Sequence, residues 1–220
     1  MTLSRTEVVP GLVAELEAFG VLIASLDDAA WATPTRCTGW SVGDTAAHVI
    51  GSMADVVNGQ LEGLGSPEAT AREVAERTGR TPAELGQELT EVTKLAGDLA
   101  AAFDDDTWQL PAPGGYDGTL GQGVEALWYD TYLHAEDIRA ALGRPSERGP
   151  GLRAGVHHVA AELDKLGWGP ATLAFTGMEE VPVGAGGAKH TGDALSFVLV
   201  ATGRADPATV GADPPLNIYA

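Results

Sequence analysis

The chain has 220 residues, 44% of them hydrophobic and 20% charged, which is enough apolar content for a packed core and too much for wholesale disorder. Thirteen Lys and Arg stand against 31 Asp and Glu, a formal charge of −18, so phosphate backbones and anionic membrane surfaces are disfavoured partners. The single cysteine, Cys37, excludes an intrachain disulfide, and neither a leader-like opening nor a membrane-length apolar run is present, so the expectation is a soluble, cytoplasmic protein that binds neither nucleic acid nor membrane.

Four long helices are predicted before residue 145. The first runs from about Arg5 to Leu26, with Val9, Leu12, Val13, Leu16, Phe19 and Ile23 at helical spacing. A loop over 31–40 leads to the second, which starts at Ser41 and reaches about Leu64. There Ser41 and Asp44 form an S-x-x-D pattern able to cap the free N–H groups. A polar stretch, 66–80, reads as a link. Thr81-Pro82 starts the third helix, which carries Leu85, Leu89, Val92, Leu95 and Leu99 to about Phe103. Residues 104–118, rich in Asp, Pro and Gly, read as a long loop. The fourth helix runs from about Thr119 to Leu142 and stops at Gly143, with Pro145 behind it. Beyond Pro150 the pattern changes to one helix (151–166), a strand over 171–177, a second strand over 181–183, a glycine loop, and a short helix over 191–201. Prolines and glycines in 206–220 interrupt regular structure. The fold class is therefore mainly α with a small α+β part: a four-helix bundle over 1–146 and a small α+β domain over 147–220.

Five histidines are the main chemical candidates. On the fourth helix Asp130 and His134 stand at i and i+4, about 40° apart and one turn along, so a carboxylate oxygen and an imidazole nitrogen can reach one ion. An ordinary helix-stabilising pair has the same spacing. His48 on the second helix is either half-exposed or faces His134 and completes a two-His, one-carboxylate set; Asp44 is discounted because the cap employs it. Three protein ligands would leave a position open for water or a thiolate. His157 and His158 read as ordinary helix residues, and His190 as solvated. Cys37 is read first as a small buried hydrophobe, second as a reactive thiol. Arg139, Arg144, Arg148 and Arg153 crowd behind the Asp130/His134 pair. They are read first as complements to the helix C-terminus and second as a lure for an anionic substrate, with Arg139 and Arg144 the candidates for cofactor binding. No G-x-S-x-G, G-x-x-x-x-G-K-[ST], post-strand G-x-G-x-x-G or cysteine cluster is present, which argues against serine hydrolases, nucleotide enzymes and iron–sulfur sites.

The run CTGWSVGDTAAH, ending at His48, and the run WYDTYLHAEDIRAALGRP, from Trp128 to Pro145, resemble the second- and fourth-helix signatures of the mycothiol-dependent maleylpyruvate isomerase family, one of the DinB-like bundles. The stretch HTGDALSFVLVATGRAD resembles that family's small, sterol-carrier-like C-terminal domain. The resemblance implies a divalent metal, usually zinc, held by His48, Asp130 and His134, and mycothiol as the thiol cofactor. It implies thiol chemistry on a small-molecule substrate, either isomerisation of a cis double bond or S-transfer. The family's isomerase carries glutamate where this chain has Asp130, one methylene shorter, which bears on metal identity and exact activity. The alternative is a non-catalytic small-molecule-binding protein on the same bundle.

Overall fold

A computed structural model describes residues 3–211 and 216–219. Parts of the predicted C-terminal tail, 212–215 and 220, lie outside the described residues. The chain divides into two compact units, Ser4–Glu147 and the residues from Arg148 onward together with Leu3.

The first unit is built on four long helices: α1 (Arg5–Ala24), α3 (Val42–Val57), α5 (Pro82–Ala102) and α7 (Leu120–Ala141). Short helices α2 (Asp28–Trp31), α4 (Pro67–Ala75) and α6 (Asp105–Trp108) fill the connections. Both α1 and α3 pack against α5 and α7, which closes a four-membered ring. Leu12, Leu16, Phe19 and Ile23 of α1 are buried as their spacing predicts. Gly11 lets α1 approach α7 closely, because a Cβ there would lie 2.3 Å from the Trp128 ring. On α5 the buried face differs from the predicted one. Leu85, Leu89 and Val92 are inside, but the stripe then passes to Ala96 and Ala100, leaving Leu95 and Leu99 outside. Small residues on the inner face bring that end of the helix close to its neighbours.

The caps follow the sequence. Ser41 and Asp44 form a reciprocal capping box at α3, Thr81 and Glu84 one at α5, and Thr119 and Gln122 one at α7. Two segments read as loops carry helix. α4 lies in the predicted polar link, and α3 ends at Val57, short of Leu64. α6 lies in the predicted long loop and buries Trp108.

The second unit holds α8 (Pro150–Lys165), a three-stranded sheet of β1 (Ala171–Phe175), β2 (Val181–Val183) and β3 (Ala188–Gly192), and α9 (Ala194–Ala201). The strand order is β2-β1-β3, antiparallel for β1–β2 and parallel for β1–β3. Residues 171, 173 and 175 alternate inward, as a strand with one covered face requires. β3 replaces the start of a predicted helix. Its His190, expected to be solvated, is half-buried, with its ring 5.0 Å from Trp168 and 6.4 Å from Phe197. Among the described residues no helix is long and apolar enough to cross a membrane.

Candidate metal centre

The Ser41 cap fixes where α3 begins, and His48 follows two turns later on its buried side, 8% exposed. Asp130 and His134 come from the middle of α7, which packs against α3. The His48 and His134 rings stand edge to face with centroids 5.0 Å apart. Nε2 of His48 lies 3.5 Å from Asp130 Oδ2, and Nε2 of His134 lies 3.5 Å from Asp130 Oδ1. The sequence reading that places His48 opposite His134 therefore holds, and the half-exposed reading does not.

Both imidazoles are locked from behind. His48 Nδ1 donates to Glu73 Oε2 at 2.7 Å, and His134 Nδ1 donates to Asp137 Oδ2 at 2.9 Å. Ionised carboxylates only accept, so these bonds place the proton on each Nδ1 and leave each Nε2 to face Asp130. Glu73 reaches His48 because α4 lies unusually close to α3. A Cβ on Gly51 would stand 2.6 Å from Glu73 Cβ. Asp137, fully buried, is shared. Its Oδ1 receives Arg36 Nε at 2.6 Å, and its Oδ2 also accepts the Cys37 thiol at 3.1 Å. The Cys37 sulfur is 3.8 Å from His134 Nδ1. Cys37 is half-buried beside the centre and is not a core hydrophobe. Trp40 covers both ligand rings, its ring centroid 5.2 Å from His48 and 6.2 Å from His134. The side chain of Asp130, 32% exposed, marks the open side.

The charges agree with this arrangement. Burial alone would lower the His134 pKa. The charge of Asp130, with the contacts the ring makes to Asp130, Asp137 and Cys37, outweighs it and holds the ring well above the ordinary histidine value. His48 follows the same pattern: burial lowers it, and Asp130 and Glu73 raise it further than burial lowers it. Burial would raise Asp130, but the two imidazoles hold it well below the usual carboxylate range. A carboxylate set between two imidazoles is thus a place built for positive charge.

The donor set fits a divalent cation. Two ligand atoms each about 2.0–2.1 Å from one ion at a tetrahedral angle are about 3.3–3.4 Å apart. Each imidazole stands 3.5 Å from one Asp130 oxygen, His48 from Oδ2 and His134 from Oδ1, which is close to that spacing and longer than an ordinary hydrogen bond. The three ligand atoms all lie within 4.8 Å of one another. A second set, Cys37, His134 and Asp137, meets the same distance test, but its atoms are already joined by the bonds just described.

Residues 12–139 match the model of the mycothiol maleylpyruvate isomerase N-terminal domain. The chain belongs to the mycothiol maleylpyruvate isomerase family. All three candidate ligands, with Arg36, Cys37, Trp40, Glu73 and Asp137, fall inside the matched segment. Two crystal structures, of the mycothiol-dependent maleylpyruvate isomerase and of a histidine-to-alanine mutant of it, share the fold across 98% of both chains, with a TM-score of 0.65 and 16% identity. No curated protein matches the chain by sequence.

The other predicted residues lie elsewhere. Arg139 is about 140° around the helix from His134. It pairs with Glu136 at 2.8 Å and acts on the charge of Glu15, a carboxyl that burial pushes up. Arg144 donates to Ser25 Oγ at 2.8 Å. Arg148 pairs with Asp193, and Arg153 pairs with Glu179 at 2.6 Å. The four arginines thus have side-chain partners of their own, and neither Arg139 nor Arg144 contacts the three candidate ligands. His157 bonds Glu179 at 2.9 Å. Sequence reasoning missed Glu73, Asp137, Arg36 and Trp40. Asp137 carried a signal, because 130, 134 and 137 form one helical stripe. Glu73 carried none.

Proposed function

We propose that this chain is a metal-dependent enzyme that uses a low-molecular-weight thiol, mycothiol by family, for isomerisation of a cis double bond or for S-transfer. The observation that carries the reading is the convergence of both Nε2 atoms on Asp130 with each Nδ1 bonded to a buried carboxylate. A structural zinc site closes with four protein ligands, whereas three leave a position for an exogenous one.

His48, Asp130 and His134 would hold the ion, with zinc the first expectation. Bound there, it would lower the pKa of a coordinated thiol so that thiolate persists at neutral pH. The chain's own residues do the rest. Glu73 and Asp137 keep both imidazoles in one tautomer and one orientation. Trp40 walls one side of the centre against water, and Asp130 leaves the other side open to the thiol and its co-substrate. For isomerisation the bound thiol would supply a sulfur nucleophile toward the cis double bond of a substrate such as maleylpyruvate and would be released unchanged. Atoms and electrons balance with no further reactant. A neutral, hydroxyl-rich thiol suits a protein of charge −18.

The test is turnover by zinc-loaded protein of maleylpyruvate, and of electrophilic S-transfer substrates, with and without mycothiol. Turnover that requires the thiol, disappears on chelation and returns with zinc supports the reading. Activity indifferent to thiol and chelator, or no activity on either substrate class, contradicts it.

A further inference from the structure

The zinc-and-thiol reading leaves open how an acidic protein would attract and orient a negatively charged substrate. Among the described residues, Arg36 is the one lysine or arginine bonded to the carboxylates that support the centre. Its Nε goes to Asp137 Oδ1 at 2.6 Å, and Asp137 in turn holds His134 Nδ1 at 2.9 Å. Neither Nη has a hydrogen-bond partner among the described residues, and the side chain is 26% exposed against 0% for Asp137. Guanidinium has five N–H donors in a rigid plane. With Nε fixed from within, the end-on pair, Nη1 and Nη2, stays available in the geometry that suits a carboxylate. The other arginines of this unit pair elsewhere: Arg5 with Asp105, Arg72 with Asp55, Arg77 and Arg80 with Glu88, Arg139 with Glu136, and Arg144 with Ser25.

We infer that Arg36 is the residue of this centre that receives a carboxylate of the substrate. This inference rests on the metal-and-thiol reading above. Asp137 sets the geometry: one carboxylate fixes both the ligand ring and the guanidinium, so the distance between metal centre and anion site is built into the fold. The substrate-attracting role that sequence reasoning offered to Arg139, Arg144, Arg148 and Arg153 passes to a residue in the loop before α3.

The experiment uses zinc-loaded full-length protein with maleate as the probe and dimethyl maleate as its uncharged counterpart. Zinc content and thermal unfolding are measured first, then binding of each probe by calorimetry. Arg36→Lys keeps a cation for Asp137 and removes the paired Nη donors; Arg36→Ala removes both. The expected result is that wild type binds maleate better than the diester. Arg36→Lys should weaken maleate binding about tenfold or more, leave diester binding unchanged, and keep full zinc. Equal maleate binding by wild type and Arg36→Lys overturns the inference, as does a wild type that does not discriminate between maleate and diester. Zinc loss in Arg36→Lys also overturns it, by assigning Arg36 to support of the metal. A wild type that takes up no zinc refutes the underlying reading, and shows itself before any maleate is added.

Discussion

Replacing Gly51 by alanine tests how the fold delivers Glu73 to the centre. Gly51 lies one turn beyond His48 on α3. The added Cβ would meet Glu73 Cβ at 2.6 Å and Arg77 Nη1 at 2.9 Å. Carbon atoms pack at about 3.5–4.0 Å, so α4 must retreat by about 1 Å at this point. The His48–Glu73 bond, now 2.7 Å, would open to about 3.7 Å, beyond hydrogen-bond range. Overpacking costs about 1–3 kcal/mol and loss of the charged hydrogen bond about 1.5–3, offset by about 1 for alanine over glycine in a helix. The net expectation is about 1.5–5 kcal/mol of destabilisation, and zinc affinity about 10–100-fold weaker. The assays are denaturant unfolding and a zinc competition titration. Gly86→Ala, on α5 with open space around the new methyl, is the control and should be neutral or stabilising by up to about 1 kcal/mol. A Gly51→Ala variant as stable as this control, with wild-type zinc affinity, would refute the account of α4.

Three further outcomes follow. Asp137→Asn should weaken zinc binding about 10–100-fold, read by competition titration, because His134 Nδ1 and Arg36 then share a neutral amide. Cys37→Ser should keep zinc content unchanged by elemental analysis, because the thiol sits on the Nδ1 side of His134 and bonds Asp137. In the second unit, burial would raise the Glu179 carboxyl, but His157 and Arg153 hold it down at about 2, against an ordinary 4.5. A depressed folded-state pKa stabilises above the ordinary value and loses that contribution as pH falls toward the folded one. Glu179→Gln should therefore be less stable than wild type at neutral pH, by a small amount because the group is partly exposed, and the two should converge near pH 2–3 in urea unfolding.

What the sequence made legible is what local periodicity records. Leu12, Leu16, Phe19 and Ile23 announce α1 by spacing, and the Ser41/Asp44 and Thr81/Glu84 boxes mark helix starts to the residue. Asp130 and His134 share a face by helix geometry alone. α4 was hidden because only Ala69 and Glu73 of its nine residues are buried, and it is held as helix by distant partners. Its Glu73 bonds His48 and its Arg72 pairs with Asp55, both on α3. β3 was hidden because AKHTG has little strand character of its own and is held by its parallel ladder to β1. Arg36 and Cys37 sit about a hundred positions from Asp137, and no local pattern encodes that approach.

Whether His48, Asp130 and His134 hold a single cation is decided by zinc stoichiometry in purified wild type, His48→Ala, His134→Ala and His158→Ala. The last removes a buried histidine of the other unit and serves as the control. One zinc per chain is expected in wild type and in His158→Ala, with zinc lost from both His48→Ala and His134→Ala. Zinc retained by either of those two variants at the wild-type level, or wild type that stays metal-free when zinc is supplied, would contradict that expectation.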